Sequence, residues 1–142
     1  MKQILVFVMF SSILVWLMFA PIYKHIIIVR QAVLQKEVDV MLEIGANGSH
    51  GYIDAAMVAE SKQRLEQRGF DPAELQYTVT AASGSDGSDP NAPIERGIGI
   101  QLSISYPYLH LFDIDQLLGM TPPAQHSRMS AFGLKMSEYV PR

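Results

Sequence analysis

"MKQILVFVMFSSILVWLMFAPIYKHIIIVRQ", residues 1–31, carries an apolar run that stops at Pro21, crosses Lys24 and His25, and resumes as Ile26, Ile27, Ile28 and Val29. Between residues 4 and 20 the only polar side chains are Ser11 and Ser12. As a helix, residues 3–20 span about 27 Å at ~1.5 Å per residue, close to the ~30 Å hydrocarbon thickness of a bilayer. A secretory signal has a shorter apolar centre and a small-residue cleavage site. Here the run ends in Phe19-Ala20-Pro21, and a proline just behind the cut disfavours cleavage, so the segment reads as retained.

Behind Pro21 the pattern changes. Ile27, Val33, Leu34, Val38, Met41, Leu42 and Gly45 fall near a 3.6-residue repeat, with Arg30, Gln31, Gln35, Lys36 and Asp39 mostly between them. This predicts an amphipathic helix over residues 22–46 that continues the apolar one. The combined rod is on the order of 60 Å long, about twice the bilayer thickness, so its second half must pack on something in water. Pro21 lacks an N–H and opposes the turn before it, which predicts a hinge, by kinking or local melting, over residues 17–21.

"GANGSHG", residues 45–51, ends the rod, with one of its glycines expected to cap the helix in a left-handed conformation. Asp54 reads as the N-cap of a second helix with Ala55, Ala56, Met57, Val58, Ala59 and Leu65 as apolar positions and Gly69 as its stop. Strand alternation follows twice: Leu75, Tyr77, Val79 and Ala81, then Ile98, Ile100, Leu102, Ile104 and Tyr106. A weaker third strand, about 129–139, sets Ser130, Phe132, Leu134 and Met136 against Ala131, Gly133 and Lys135. Between strands one and two, "SGSDGSDPNAP", residues 83–93, reads as a mobile surface loop. Residues 113–125 read as a turn or short helix before a Pro122-Pro123 loop.

These elements make an α+β chain: residues 1–46 a long N-terminal helix and residues 47–142 a small head with a short helix and a three-stranded antiparallel sheet. The sheet's apolar face, Ile100, Leu102, Ile104, Phe132 and Leu134, is expected to be covered by Val33, Leu34, Val38 and Met41 of the rod.

Chemistry is sparse. A net charge of −3 and a pI near 5.7 give no basic footprint for nucleic acid. With no cysteine, disulfides and thiolate metal sites are excluded. His25, His50, His110 and His126 show no ligand spacing. Asp86 and Asp89 lack the ligand count of a calcium loop. His110, Asp113 and Asp115 form the best local metal candidate, more simply read as polar residues at a strand-to-loop junction. "GIG", residues 97–99, lies within the second strand and lacks the helix a dinucleotide site needs, so its glycines read as a bulge or a close backbone approach. No catalytic constellation, metal site or cofactor is expected, and the chain does not read as an enzyme.

"VDVMLEIGANG" (38–48), "IGIQLSISYPYLHLF" (98–112) and "SAFGLKMSEYVPR" (130–142), in this order behind an apolar helix, resemble the type IV pilin-like superfamily, and more narrowly its small Tad-type (tight adherence) pseudopilins. The resemblance implies a subunit of a helical extracellular filament, held in the cell membrane before assembly by pilus machinery and self-associating into a homo-polymer. Ile4, Leu5, Val6, Phe7, Val8, Phe10, Ile13, Leu14, Trp16, Leu17 and Phe19 would then form its water-free core and the heads its coat. It places the head outside the cytoplasm, against the weak positive-inside bias of Lys24, Arg30 and Lys36. Members of the superfamily carry a glycine-ended leader and a glutamate at position five; here position five is Leu5, and no acidic residue precedes Glu37. Either the chain is a mature form of a branch lacking that glutamate, or Met1 is the translation start and no leader is processed. The other reading open to the sequence is a single-pass membrane subunit of a secretion or conjugation apparatus that does not polymerise.

Overall fold

The computed structural model of the chain describes residues 1–108, 119 and 127–141. Their elements are helices α1 (Lys2–Gly45) and α2 (Ala55–Glu66) and strands β1 (Gln76–Ala81), β2 (Gly99–Pro107) and β3 (Arg128–Met136). The fold is therefore α+β, with a long apolar N-terminal helix, a short helix and a three-stranded antiparallel sheet. Two compact units are present, Met1–Arg30 and Gln31–Arg142.

The first unit is helix alone. α1 continues through Pro21 without interruption, so the local melting expected at residues 17–21 is absent. The ring removes one donor, the one that would have reached the Leu17 carbonyl, while the hydrogen bonds on either side maintain the helix.

The second unit is built around the alternation of β2. The sheet order is β1-β2-β3, with Val79 opposite Leu102 and Leu102 opposite Gly133. The period of two sends Ile100, Leu102, Ile104 and Tyr106 to one face, where all are buried. Both helices bury residues toward this core. From α1 come Leu34, Val38, Met41 and Leu42, and from α2 Leu65, with Ile53 and Phe70 closing the ends. Each such aliphatic contributes about 1.5–3 kcal/mol when fully buried. Phe70 meets Tyr106 edge to face at 4.9 Å, and the Asp71 amide donates to the Tyr106 hydroxyl at 3.2 Å.

α2 begins and ends as its sequence indicates. Asp54 is the N-cap and accepts from the Met57 amide at 2.9 Å. At the other end Gly69 (φ 88°) donates to Glu66 while Phe70 donates to Leu65, the paired bonds of a Schellman cap. Its apolar face, however, is narrower than expected. Ala55, Ala56 and Ala59 are exposed, and Ser61 is buried in their stead because its hydroxyl bonds the Tyr77 hydroxyl at 2.9 Å.

The expected left-handed glycine cap on α1 is not there. Gly51 (φ 73°) lies well past the helix end, and Gly45 is still helical. Gly45 is small for another reason: a Cβ there would come within 2.5 Å of Ile53 Cγ1. The turn behind α1 is pinned by backbone hydrogen bonds from two other segments. Ala46 O accepts from Glu138 N at 2.7 Å, Gly48 O from Val140 N at 3.0 Å and Gly51 O from Ile94 N at 2.7 Å. The C-terminal residues 137–140 are thus laid against the turn and do not extend β3 to residue 139.

The third strand corrects the sequence reading most sharply. Its buried residues are Met129 and Ala131, whereas Phe132 and Leu134, expected as head packing, are 58% and 50% exposed on the opposite face with Met136. α1 passes so close that a Cβ on Gly133 would lie 2.6 Å from Leu42 Cδ1 and 2.7 Å from Val38 Cγ1. Only small residues fit beneath it, so the strand turns Ala131 and Gly133 inward and the bulky set outward. Gln35 Nε2 donates to the Phe132 carbonyl at 3.1 Å, and Lys135 Nζ pairs with Glu43 at 2.6 Å, fixing the helix along this strand.

Residues 83–93 are also more firmly held than their composition suggests. Gly87 is buried, its carbonyl accepts from Ile53 N at 2.9 Å, and a Cβ on it would meet Val79 Cγ1 at 2.9 Å. Gly97, read as part of the strand, precedes β2 with φ 88°. Gly99 opens β2 with its missing side chain replaced by Leu134, whose Cδ1 a Cβ would meet at 2.8 Å.

Candidate functional site

α1 is the one described helix long and apolar enough, by length and composition, to cross a membrane. None of its most apolar 18-residue window is buried. Ile4, Leu5, Val6, Phe7, Val8, Phe10, Ile13, Leu14, Trp16, Leu17 and Phe19 all stand exposed along it. Ser12, the polar residue that most interrupts this surface, returns its hydroxyl proton to the Met9 carbonyl at 2.8 Å, which masks it within the helix. By length and composition such a helix is compatible with insertion in a membrane.

The second half of α1 contains a residue the sequence reading passed over. Glu37 lies on the buried stripe between Leu34 and Met41 and is only 2% exposed. Its Oε1 accepts from Arg64 Nε at 2.9 Å and from Arg64 Nη2 at 2.7 Å, tying α1 to α2. Arg64 also lies 3.6 Å from Glu60. The hydrogen bonding of Arg64 to Glu37 is the main cause that raises the guanidinium pKa above its ordinary value, against a lowering by burial. Beside this pair, burial pushes the Tyr77 phenol up, with the Ser61 hydrogen bond opposing. The signal was present in the sequence: position 37 keeps the helical spacing from Leu34 and Met41, and Arg64 is the basic residue in the last turn of α2.

Two open grooves flank the head. One, about 520 Å³, runs between α2 and β1, with Val58, Lys62, Tyr77 and Val79 among its lining residues. The other, about 360 Å³, lies at residues 83–98 and includes Asp86, Asp89 and Glu95. Asp86 is held below the usual carboxylate range by hydrogen bonds from Ser88, side chain first and then backbone. Among the described residues no group of three His, Cys, Asp or Glu is placed to hold a metal ion. His25 stands exposed on α1 and His50 in the turn behind it, while His110, Asp113, Asp115 and His126 lie outside the described residues, as do Pro122 and Pro123.

Neither family models, curated proteins nor solved structures give a match to this chain.

Proposed function

We propose that the protein is a structural subunit whose α1 inserts in the cell membrane and then packs with other copies as the core of an extracellular, type IV pilus-like helical filament, the α+β heads forming its coat. One observation carries this reading: a single helix presents a wholly exposed apolar span at one end and supplies the buried stripe of a folded head at the other. In lipid the span is solvated by hydrocarbon. In a polymer the spans replace lipid for one another, driven by packing and by exclusion from water. Assembly by one repeated, non-closing contact gives a helix. The resemblance of the C-terminal and rod motifs to Tad-type pseudopilins supports the same reading and would bring pilus assembly machinery as partner.

Lipid alone also satisfies the span. This favours the second reading, a single-pass membrane subunit of a secretion or conjugation apparatus that does not polymerise. Negative-stain imaging of sheared surface material beside detergent extract separates the two. Fibres of uniform width made of this chain support the filament; detergent-bound particles without fibres support the anchor.

A further inference from the structure

Past Pro21 the apolar character of α1 returns before the head begins. Ile22, Ile26, Ile28 and Val29 stand exposed, and all belong to the first compact unit, Met1–Arg30, ahead of the buried stripe of residues 34–42. Lys24 and His25, also exposed, lie among them. The charges on this part of the chain have one sign. From residue 1 to residue 36 the charged side chains are Lys2, Lys24, Arg30 and Lys36, and the first acid is Glu37.

We propose that residues 22–29 form a binding segment for anionic phospholipid, with the isoleucines and Val29 set beneath the headgroups and Lys24 and His25 at the phosphates. Apolar residues alone would fit hydrocarbon or protein; the cations set among them, with no acid nearby in the sequence, select between the two. Together they complement a surface that is apolar below and anionic above.

The position along the helix agrees. Lys24 is four residues past Ala20, about 6 Å at ~1.5 Å per residue, and the headgroup layer occupies about 5–8 Å on each side of the hydrocarbon. In an upright helix residues 26–29 would stand about 9–14 Å past Ala20, beyond that layer. Tilting is the ordinary response of an apolar stretch longer than the hydrocarbon core, and it lowers these residues to the headgroup level. The four-carbon stem of Lys24 then keeps its ammonium at the phosphates. The second apolar run, which a plain span over residues 3–20 does not need, becomes the part that lies in the interface.

This binding segment rests on the membrane insertion proposed above and not on fibre formation.

Trp16 is the sole tryptophan and lies in the half of the span nearer Lys24, so its fluorescence reports the lipid around that end. The full-length chain is reconstituted in vesicles of phosphatidylcholine and phosphatidylglycerol in equal amounts, with bromine near the headgroup end of the acyl chains of one lipid or the other. Brominated phosphatidylglycerol should quench Trp16 with a roughly fivefold preference, and Lys24→Gln with His25→Gln should bring the two lipids level. The preference should also fall away in about 1 M salt. In a Trp16→Phe background, Ile28→Trp should be quenched by the brominated lipids and shielded from iodide in the water. Equal quenching of Trp16 by the two lipids, an undiminished preference in the double glutamine variant, or an Ile28→Trp signal open to iodide would overturn the binding segment while leaving insertion and the filament reading intact. Trp16 quenched by neither lipid would overturn the segment and the membrane insertion together.

Discussion

Glu37 of α1 accepts both of its hydrogen bonds from Arg64 of α2 through one oxygen, Oε1, at 2.9 and 2.7 Å, with the carboxylate buried and the guanidinium 34% exposed. The two partners are therefore unequal. Removing Arg64 strands a charge in the core, whereas removing Glu37 leaves a guanidinium that can turn to water and to Glu60. Arg64→Ala should lower stability by about 3–5 kcal/mol, and Glu37→Gln by less than half as much. Replacing both with leucine should recover most of the loss, because a buried pair is often matched by apolar packing. Urea midpoints of the four proteins test this; equal losses for the two single variants would show that the pair behaves as a surface salt bridge.

Next to that pair, Tyr77 gives the fold an alkaline limit. Burial raises its phenol above the ordinary value of about 10, so the folded chain holds this proton more tightly than the unfolded chain. The stability contributed by the neutral phenol is fully present below about pH 10 and is lost as pH rises toward the folded-state value. Tyr77→Phe should lose about 0.5–1.5 kcal/mol at neutral pH with the Ser61 hydrogen bond. It should then decline less steeply than the wild type above pH 10. Parallel alkaline limbs from thermal melts would contradict the assignment.

Gly133 marks where α1 crosses β3. Gly133→Ala places a methyl against Leu42 and Val38, a close approach that should cost about 1–3 kcal/mol by overpacking. Ala131→Gly, one residue pair away on the same buried face, opens space and serves as the opposite perturbation. A Gly133→Ala protein as stable as the wild type would show that the helix can lift from the strand without penalty.

How legible this fold was depended on whether one residue's chemistry or its neighbours' geometry decided the outcome. Asp54 and Gly69 delimit α2 through their own backbone preferences, and the β2 alternation from Ile100 to Tyr106 is one-sided, so these were readable. β3 has apolar residues of both parities: Met129 and Ala131 on one, Phe132, Leu134 and Met136 on the other. Hydrophobicity favours the bulkier set, but the space beneath α1 admits only the smaller one, and that space is a property of the helix. Gly133 was the available sign, since a glycine inside a strand often marks a close approach. Gly87 misled for a related reason: a run of serine, glycine and aspartate reads as solvated, yet its carbonyl holds Ile53 in place. Glu37 was passed over, although its spacing from Leu34 and Met41 places it on the buried stripe.

The apolar span was legible as a span because composition and length suffice for that. Whether other copies or lipid cover it depends on a charge placed at its centre. Leu14→Asp costs about 2.5–3.5 kcal/mol in a bilayer centre, which the rest of an otherwise apolar helix offsets, so the protein should remain in the membrane fraction. In a filament core the same carboxylate is buried without a partner in every subunit, and assembly should fail. The direct measurement is this chain in the membrane fraction beside sheared surface fibres, wild type against Leu14→Asp. Undiminished membrane protein with fibres lost is the expected result; normal fibres from Leu14→Asp would contradict a filament core built from residues 4–20.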